Sequence, residues 1–248
     1  MPSDPQIETL LAARTRFRRL LHLASCPSTQ DVAAAEPRDG GLVVWADHQT
    51  AGRGRQQRSW DDQPGADLAI TLRATVRLPE PLALPAALPV AVLRAIEPLA
   101  LRKLRVKWPN DLFLDGRKLC GVLIDVGQAG PDTFLIGIGV NCNRVRFPPE
   151  LEPIATSLAI ATGHEVDRGA LLLAIAEQVD AMLTALQQGR FDELEALFRD
   201  RLGLLGRRVV LDAPTPASGE LTHLDFAELT LDGTRHWPLA IVRGIRPA

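Results

Sequence analysis

Residues 104–143 constrain the fold more than any other part of the chain. They divide into four short β-rich runs, "LRVKW", "DLFLDG", "RKLCGVLIDVG" and "DTFLIGIGVNCN". Asp-Gly, Gly and Pro-Asp turn signals separate the runs, which predicts a meander of antiparallel strands. Four consecutive strands joined by tight turns commit the molecule to a largely antiparallel sheet, and the remaining segments must cover it.

Upstream, 7–23 reads as a helix with Leu10, Leu11, Leu20 and Leu21 on its inner side and arginines outside. "CPSTQD" breaks it, and Ser28 or Thr29 can cap a short helix from Gln30 to Ala35. "GLVVWA" at 41–46 is a continuous apolar run and reads as a buried strand, while 68–76 alternates as another. A helix is expected over 86–97, with Pro89 in its first turn and Pro98 ending it. Asp167 is a good N-cap for a helix over 168–186, whose apolar face is Leu171, Ala174, Ile175, Val179 and Leu183. A second helix over 191–202 follows. After Gly203 the texture changes to short alternating strands with turns, enough for a small β-barrel. These readings predict two units, 1–202 and 203–248.

The 248 residues are 46% hydrophobic and 23% charged, an ordinary globular balance, and the net charge is −2. That argues against a wholesale nucleic-acid binder, which is expected to be strongly basic. Three widely spaced cysteines, Cys26, Cys120 and Cys142, form no disulfide or zinc pattern and fit a reducing compartment. No apolar run is judged long enough to span a bilayer, and no secretory signal is recognised, so a cytoplasmic location is expected. His22, His48, His164, His223 and His236 show no metal spacing.

Charge is concentrated locally instead. "HQTAGRGRQQRSW" carries three arginines, two glycines and no acidic residue. Such a loop can be a solvated surface, a nucleic-acid patch or a wrap around a small anion: Arg53 and Arg55 supply forked donors, and Gly52 and Gly54 allow close backbone approach. In "KWPNDLFLDGRK", Pro109 restricts the backbone before Asn110 and Asp111; that segment is either a cleft edge or a locally bonded turn. "GIGVNCN" is no dinucleotide fingerprint, since Cys142 stands at the third glycine position. Asn141 there is a turn residue or faces a nucleotide. "STQ" is a cap whose hydroxyls and N–H groups a polar ligand can also use.

Taken in order, STQ, QTAGRGRQQRSW, KWPNDLFLDGRKLCG and GIGVNCN closely resemble the biotin–protein ligases. The likeness is strong over about 20–145 and looser to 202. It implies an α+β fold with a mixed, mainly antiparallel sheet flanked by helices and a small SH3-like C-terminal barrel. It also implies that biotin and ATP, with Mg2+, form biotinoyl-5'-AMP. Biotin then passes to a lysine of a biotin carboxyl carrier protein domain. By resemblance the arginine loop is mobile when empty and folds over the ligand. Gln49, Arg53 and Arg55 then contact biotin or the adenylate phosphate, and Trp60 helps cover the nucleotide. Lys107 is needed for activation, Lys118 contacts ligand, and Ser28 and Thr29 form the ureido-binding turn. Arg58, Gly121 and Asn141 complete the expected binding set, with Lys107, Asp111 and Arg55 expected to be catalytic and Mg2+ carried with ATP rather than by the protein.

Gln30 replaces the asparagine usual in the family, and Gln57 replaces a glycine, which strains the loop if that position has positive φ. The rivals are a lipoate or octanoate ligase, an inactive homologue, and a DNA-binding repressor. The repressor needs a winged helix-turn-helix for which about 20 leading residues are too few. No DNA or membrane partner is expected, and edge strands of the meander leave a homodimer open.

Overall fold

The structure is a computed structural model that describes residues 5–37, 40–127, 130 and 132–248. Its main sheet has seven strands: β1 (Phe17–Leu23), β2 (Gly41–Ala46), β3 (Leu68–Thr75), β4 (Arg105–Lys107), β5 (Asp111–Leu114), β6 (Arg117–Val126) and β7 (Thr133–Val140). Their order is β1-β2-β3-β7-β6-β5-β4, parallel only between β1 and β2. The antiparallel meander is therefore β4-β5-β6-β7, as the turn signals require.

The first expected helix is corrected. Helix α1 (Pro5–Arg14) stops early, and 17–23 is strand β1. The pairing of β1 with β2 across the short helix α2 (Thr29–Ala35) outweighs the helical period of the leucines, because a strand beside the buried β2 gains a ladder of backbone bonds. Ser28 stands at the N-cap of α2 but makes no side-chain capping bond.

The sheet's two faces have different fates. On one face Val43, Ile70, Leu72, Ile136 and Ile138 join helices α3 (Leu84–Ala100) and α5 (Arg168–Gln187) in the main core, the short helix α4 (Leu158–Thr162) lying between the two in the chain. Asp167 caps α5, its Oδ1 accepting from Gly169 N at 2.8 Å and Ala170 N at 3.1 Å. Pro98 does not end α3, which continues to Ala100 before Leu101 turns left-handed at φ 51°. On the other face α2 covers Leu42, Val44 and Leu135. Buried Arg73 fixes it there, donating to the carbonyls of Ala33 at 2.9 Å and Glu36 at 2.8 Å at the helix C-terminus. The rest of that face, over β6 and β7, is left for the site.

By length and composition, Pro81–Ala100 and Arg168–Gln187 are apolar enough to cross a membrane, contrary to the sequence expectation. Here α3 and α5 pack on each other and on the sheet.

After helix α6 (Asp192–Leu202), five strands follow: β8 (Arg208–Asp212), β9 (Ala217–Leu224), β10 (Glu228–Leu231), β11 (Arg235–Pro238) and β12 (Gly244–Pro247). They make a second, antiparallel sheet in the order β11-β10-β9-β8-β12. Trp108 bridges the two sheets. Its Nε1 donates to Val242 O at 2.8 Å, and its ring meets Phe198 edge-on at 5.9 Å, with Phe226 tilted against Phe198 at 5.8 Å.

Candidate active site

The open half of the sheet is paved with glycine. Gly121 on β6 pairs with Gly139 on β7, and Gly139 pairs with Ala69 on β3. A Cβ on Gly139 would lie 2.4 Å from the Trp60 indole, one on Gly121 3.0 Å from it, and one on Gly137 3.1 Å from the Gln30 side chain. The floor therefore has to be bare backbone.

Residues 52–60 fold over this floor as a tight flap. Trp60 N donates to Gly52 O at 2.9 Å, and Gly54 N donates to Arg58 O at 2.7 Å. A side chain on Gly52 would come within 2.6 Å of the Trp60 carbonyl, so the two sides of the flap meet only because that residue is glycine. The loop's positive φ falls on Gln56, at 55°, and not on position 57, where it would have marked strain. The side chain of Gln57 lies outside the described residues.

Flap and floor enclose a cavity of about 320 Å³. At its polar end the side-chain oxygen of Gln49 accepts from Thr29 N at 2.8 Å and from the Thr29 hydroxyl at 3.1 Å, and Thr71 donates to the Thr29 hydroxyl at 2.8 Å. Ser28 lines the same end. Arg53 Nη2 lies 3.1 Å from Asp31, 3.2 Å from Asp125 and 3.3 Å from the Gln30 carbonyl oxygen. Gln30 spends its own N–H groups on Leu123 O and Leu135 O, so its extra methylene reaches the sheet backbone across Gly137. At the other end Lys118 Nζ sits 2.8 Å from Asp111 Oδ1 and 5.5 Å from the Trp60 ring centre. Lys107 Nζ lies 4.9 Å over Phe113 and also borders the cavity. Burial pulls the Arg55 guanidinium below its ordinary pKa, with Asp111 opposing. Two buried donors on wall residues, Arg53 Nε and Trp60 Nε1, have no hydrogen-bond partner among the described residues.

Of the residues expected from sequence, Ser28, Thr29, Gln30, Gln49, Arg53, Gly54, Arg55, Arg58, Trp60, Lys107, Asn110, Asp111, Lys118 and Gly121 all line this cavity. Gly52 stands behind the wall, where it closes the flap. Asn141 does not face the cavity either: its Nδ2 donates to Thr156 O at 2.9 Å and Lys118 O at 3.3 Å, pinning the chain after β7. Asn110 has a double part, lining the cavity while donating to Val122 O at 2.8 Å. Sequence reasoning missed Gly137 and Gly139, whose spacing of two along a strand was the available signal. It also missed Asp212 and Arg243, wall residues from the second sheet that carry no local motif. His48 serves structure, with Nδ1 3.1 Å from Asp62.

Fold and cavity together define a class: an α+β protein whose cationic flap folds over a bare glycine floor and leaves a cavity between them. Comparisons with known proteins give that class its family. The Biotin/lipoate A/B protein ligase family model matches residues 24–143. The biotin–[acetyl-CoA-carboxylase] ligase of Mycobacterium tuberculosis is 30% identical over 218 residues, 84% of this chain and 79% of that protein. The bifunctional ligase/repressor BirA of Bacillus subtilis is 36% identical over 180 residues, 68% of this chain and 55% of that protein. Thus the chain spans little more than half the length of some curated relatives. Among solved structures, biotin protein ligase from Aquifex aeolicus in complex with biotin and ATP superposes with a TM-score of 0.82 at 27% identity, covering 94% of this chain and 100% of that one. The chain belongs to the biotin/lipoate protein ligase family, on its biotin–protein ligase branch.

Proposed function

We propose that the protein activates biotin with ATP to biotinoyl-5'-AMP and transfers the biotinoyl group to a lysine of a biotin carboxyl carrier domain. The observation that carries this reading is the single cavity that joins a polar end at Thr29 and Gln49, a glycine floor, and a cationic end at Lys107 and Lys118. A flat ureido head, an aliphatic tail and a carboxylate match these three regions in that order.

In the first step a carboxylate oxygen attacks the α-phosphorus of ATP and pyrophosphate leaves. Two anions must approach, so fixed cations offset their repulsion and stabilise the charge that builds at phosphorus. Lys107, Lys118 and Arg55 are placed for that work. Among the described residues no cluster of three or more histidine, cysteine or acidic side chains could hold a metal ion. Asp111 and Asp125 are engaged by Lys118 and Arg53. Mg2+ would be carried by the phosphates of ATP.

In the second step a carrier lysine attacks the anhydride carbonyl, AMP leaves, and the amine loses a proton. That amine has a reference pKa of about 10.4 and arrives mainly as ammonium. Asp111 sits where a carboxylate can orient it, already holding Lys118. Transfer from preformed adenylate by Asp111→Asn should be slowed; a wild-type transfer rate would remove Asp111 from this step.

We further assign residues 1–202 to catalysis and 203–248 to a C-terminal unit that completes the cavity wall through Asp212 and Arg243. The reaction is placed in the cytoplasm, where three unpaired thiols suit a reducing medium. The deciding experiment is incorporation of labelled biotin into a carrier domain in the presence of ATP, with labelled lipoate run alongside. Biotin incorporation supports the proposal, and incorporation of lipoate alone overturns it.

A further inference from the structure

One buried charge cluster lies outside the cavity walls. Arg144, which follows β7, is 2% exposed, and Asp67, just before β3, is also 2% exposed. The Arg144 guanidinium reaches in two directions. Towards the frame, Nε donates to Asp67 Oδ2 at 2.6 Å, and Asp67 also accepts from Cys142 N at 3.0 Å and Gln63 N at 2.8 Å. Towards the flap, Nη1 donates to Asp61 Oδ2 at 2.8 Å and Nη2 to Asp61 O at 3.0 Å. Asp61 is the residue after Trp60. Arg144 is itself held, its carbonyl accepting from Ser157 Oγ at 2.6 Å and its guanidinium lying 4.7 Å over Phe147.

We propose that Arg144, seated on Asp67, is a positioning residue that fixes the exit of the flap and thereby sets Trp60 on the glycine floor. Taking two charges out of water is costly, and apolar residues of similar volume stabilise a core at least as well. What apolar residues cannot do is tie two separate segments with directed bonds, and a forked guanidinium does so in a fixed plane. The register thus passes from the end of β7, through Arg144, to Asp61, Trp60 and the Trp60–Gly52 bond. Because Arg144 touches no wall of the cavity, its effect is felt in flap closure, not in chemistry.

As far as catalysis goes, this inference rests on the proposed function, so its test has a readout independent of activity. Arg144→Lys keeps one cation beside Asp67, but a single ammonium cannot also span to Asp61. Trypsin cleavage within the flap, after Arg53, Arg55 or Arg58, should rise at least about tenfold, since losing even one of the two charge-assisted bonds to Asp61 corresponds to that factor. The thermal midpoint should fall by only a few degrees. KM for biotin should rise by a similar factor while kcat stays within about threefold, since flap closure is a binding step. Unchanged flap cleavage overturns the inference, and so does a collapse of midpoint, kcat and KM together, which marks a purely structural pair. If Arg144→Lys does not fold, Asp61→Ala, which leaves the buried pair intact and removes the side-chain acceptor of Nη1, decides by the same cleavage readout. Should the unmodified protein not activate biotin at all, the functional proposal fails and flap cleavage still judges the clamp.

Discussion

Lys107 and Gly139 show two ways in which one residue controls the site. Lys107 is a charge at the mouth of the cavity, with its ammonium over Phe113. Removing one preorganised charge from a developing anion typically costs about 10²–10³ in rate. Lys107→Ala should therefore reduce biotin-dependent pyrophosphate exchange by that factor without altering the fold, as circular dichroism will check. Gly139 acts by having no side chain. In Gly139→Ala the new methyl would lie 2.4 Å from the Trp60 indole, so the ring has to leave its seat. Overpacking of about 1–3 kcal/mol corresponds to about a five- to 150-fold rise in KM for biotin. The same displacement should be visible as increased quenching of tryptophan fluorescence.

Secondary-structure elements differ in how openly the chain declares them. The meander was legible because Asp115-Gly116 and Gly127 mark turns that local chemistry alone dictates. Helix α5 was legible because Asp167 caps it and its apolar face repeats. Strand β1 was not, since leucines at 20 and 21 suit either period and only the distant β2 decides between them. The cavity shows the same division. Its cationic residues stand in contiguous motifs, whereas Asp212, Arg243 and the Arg144–Asp67 clamp come from segments that folding alone brings near. The end of α3 supplies a test at this scale. Leu101 is left-handed at φ 51° and 80% exposed, a conformation that costs a residue with a Cβ about 1–2 kcal/mol. After the entropy lost by glycine, Leu101→Gly should still stabilise the protein by about 0.5–1 kcal/mol, read as a higher urea midpoint.

For the whole molecule, the three thiols report on the integrity of the core. Burial, followed by Asp31 and Asp62, raises the Cys26 thiol to about 11. Burial, followed by Asp67, raises Cys142 to about 12, and burial raises Cys120 as well. An unfolded thiol ionises near 9.0. Above that pH the unfolded chain releases protons that the folded one keeps, so stability is fully present below pH 9 and declines as pH rises towards the folded values. The urea midpoint should fall between pH 9 and 11, and Cys26→Ala should flatten part of that fall. At pH 8 the folded protein should react with iodoacetamide far more slowly than the unfolded chain.

The bare floor has a consequence for selectivity. Gly121 and Gly139 offer no side chain to exchange for another, and any replacement there meets the Trp60 indole instead of retuning the lane. On the proposed function, discrimination between one acyl acid and another falls to the two ends: the Thr29–Gln49 donor–acceptor pair at the head and the spacing to Lys118 along the chain. A ligase redirected to a different acid would be altered at those ends, with the lane between them left as it is.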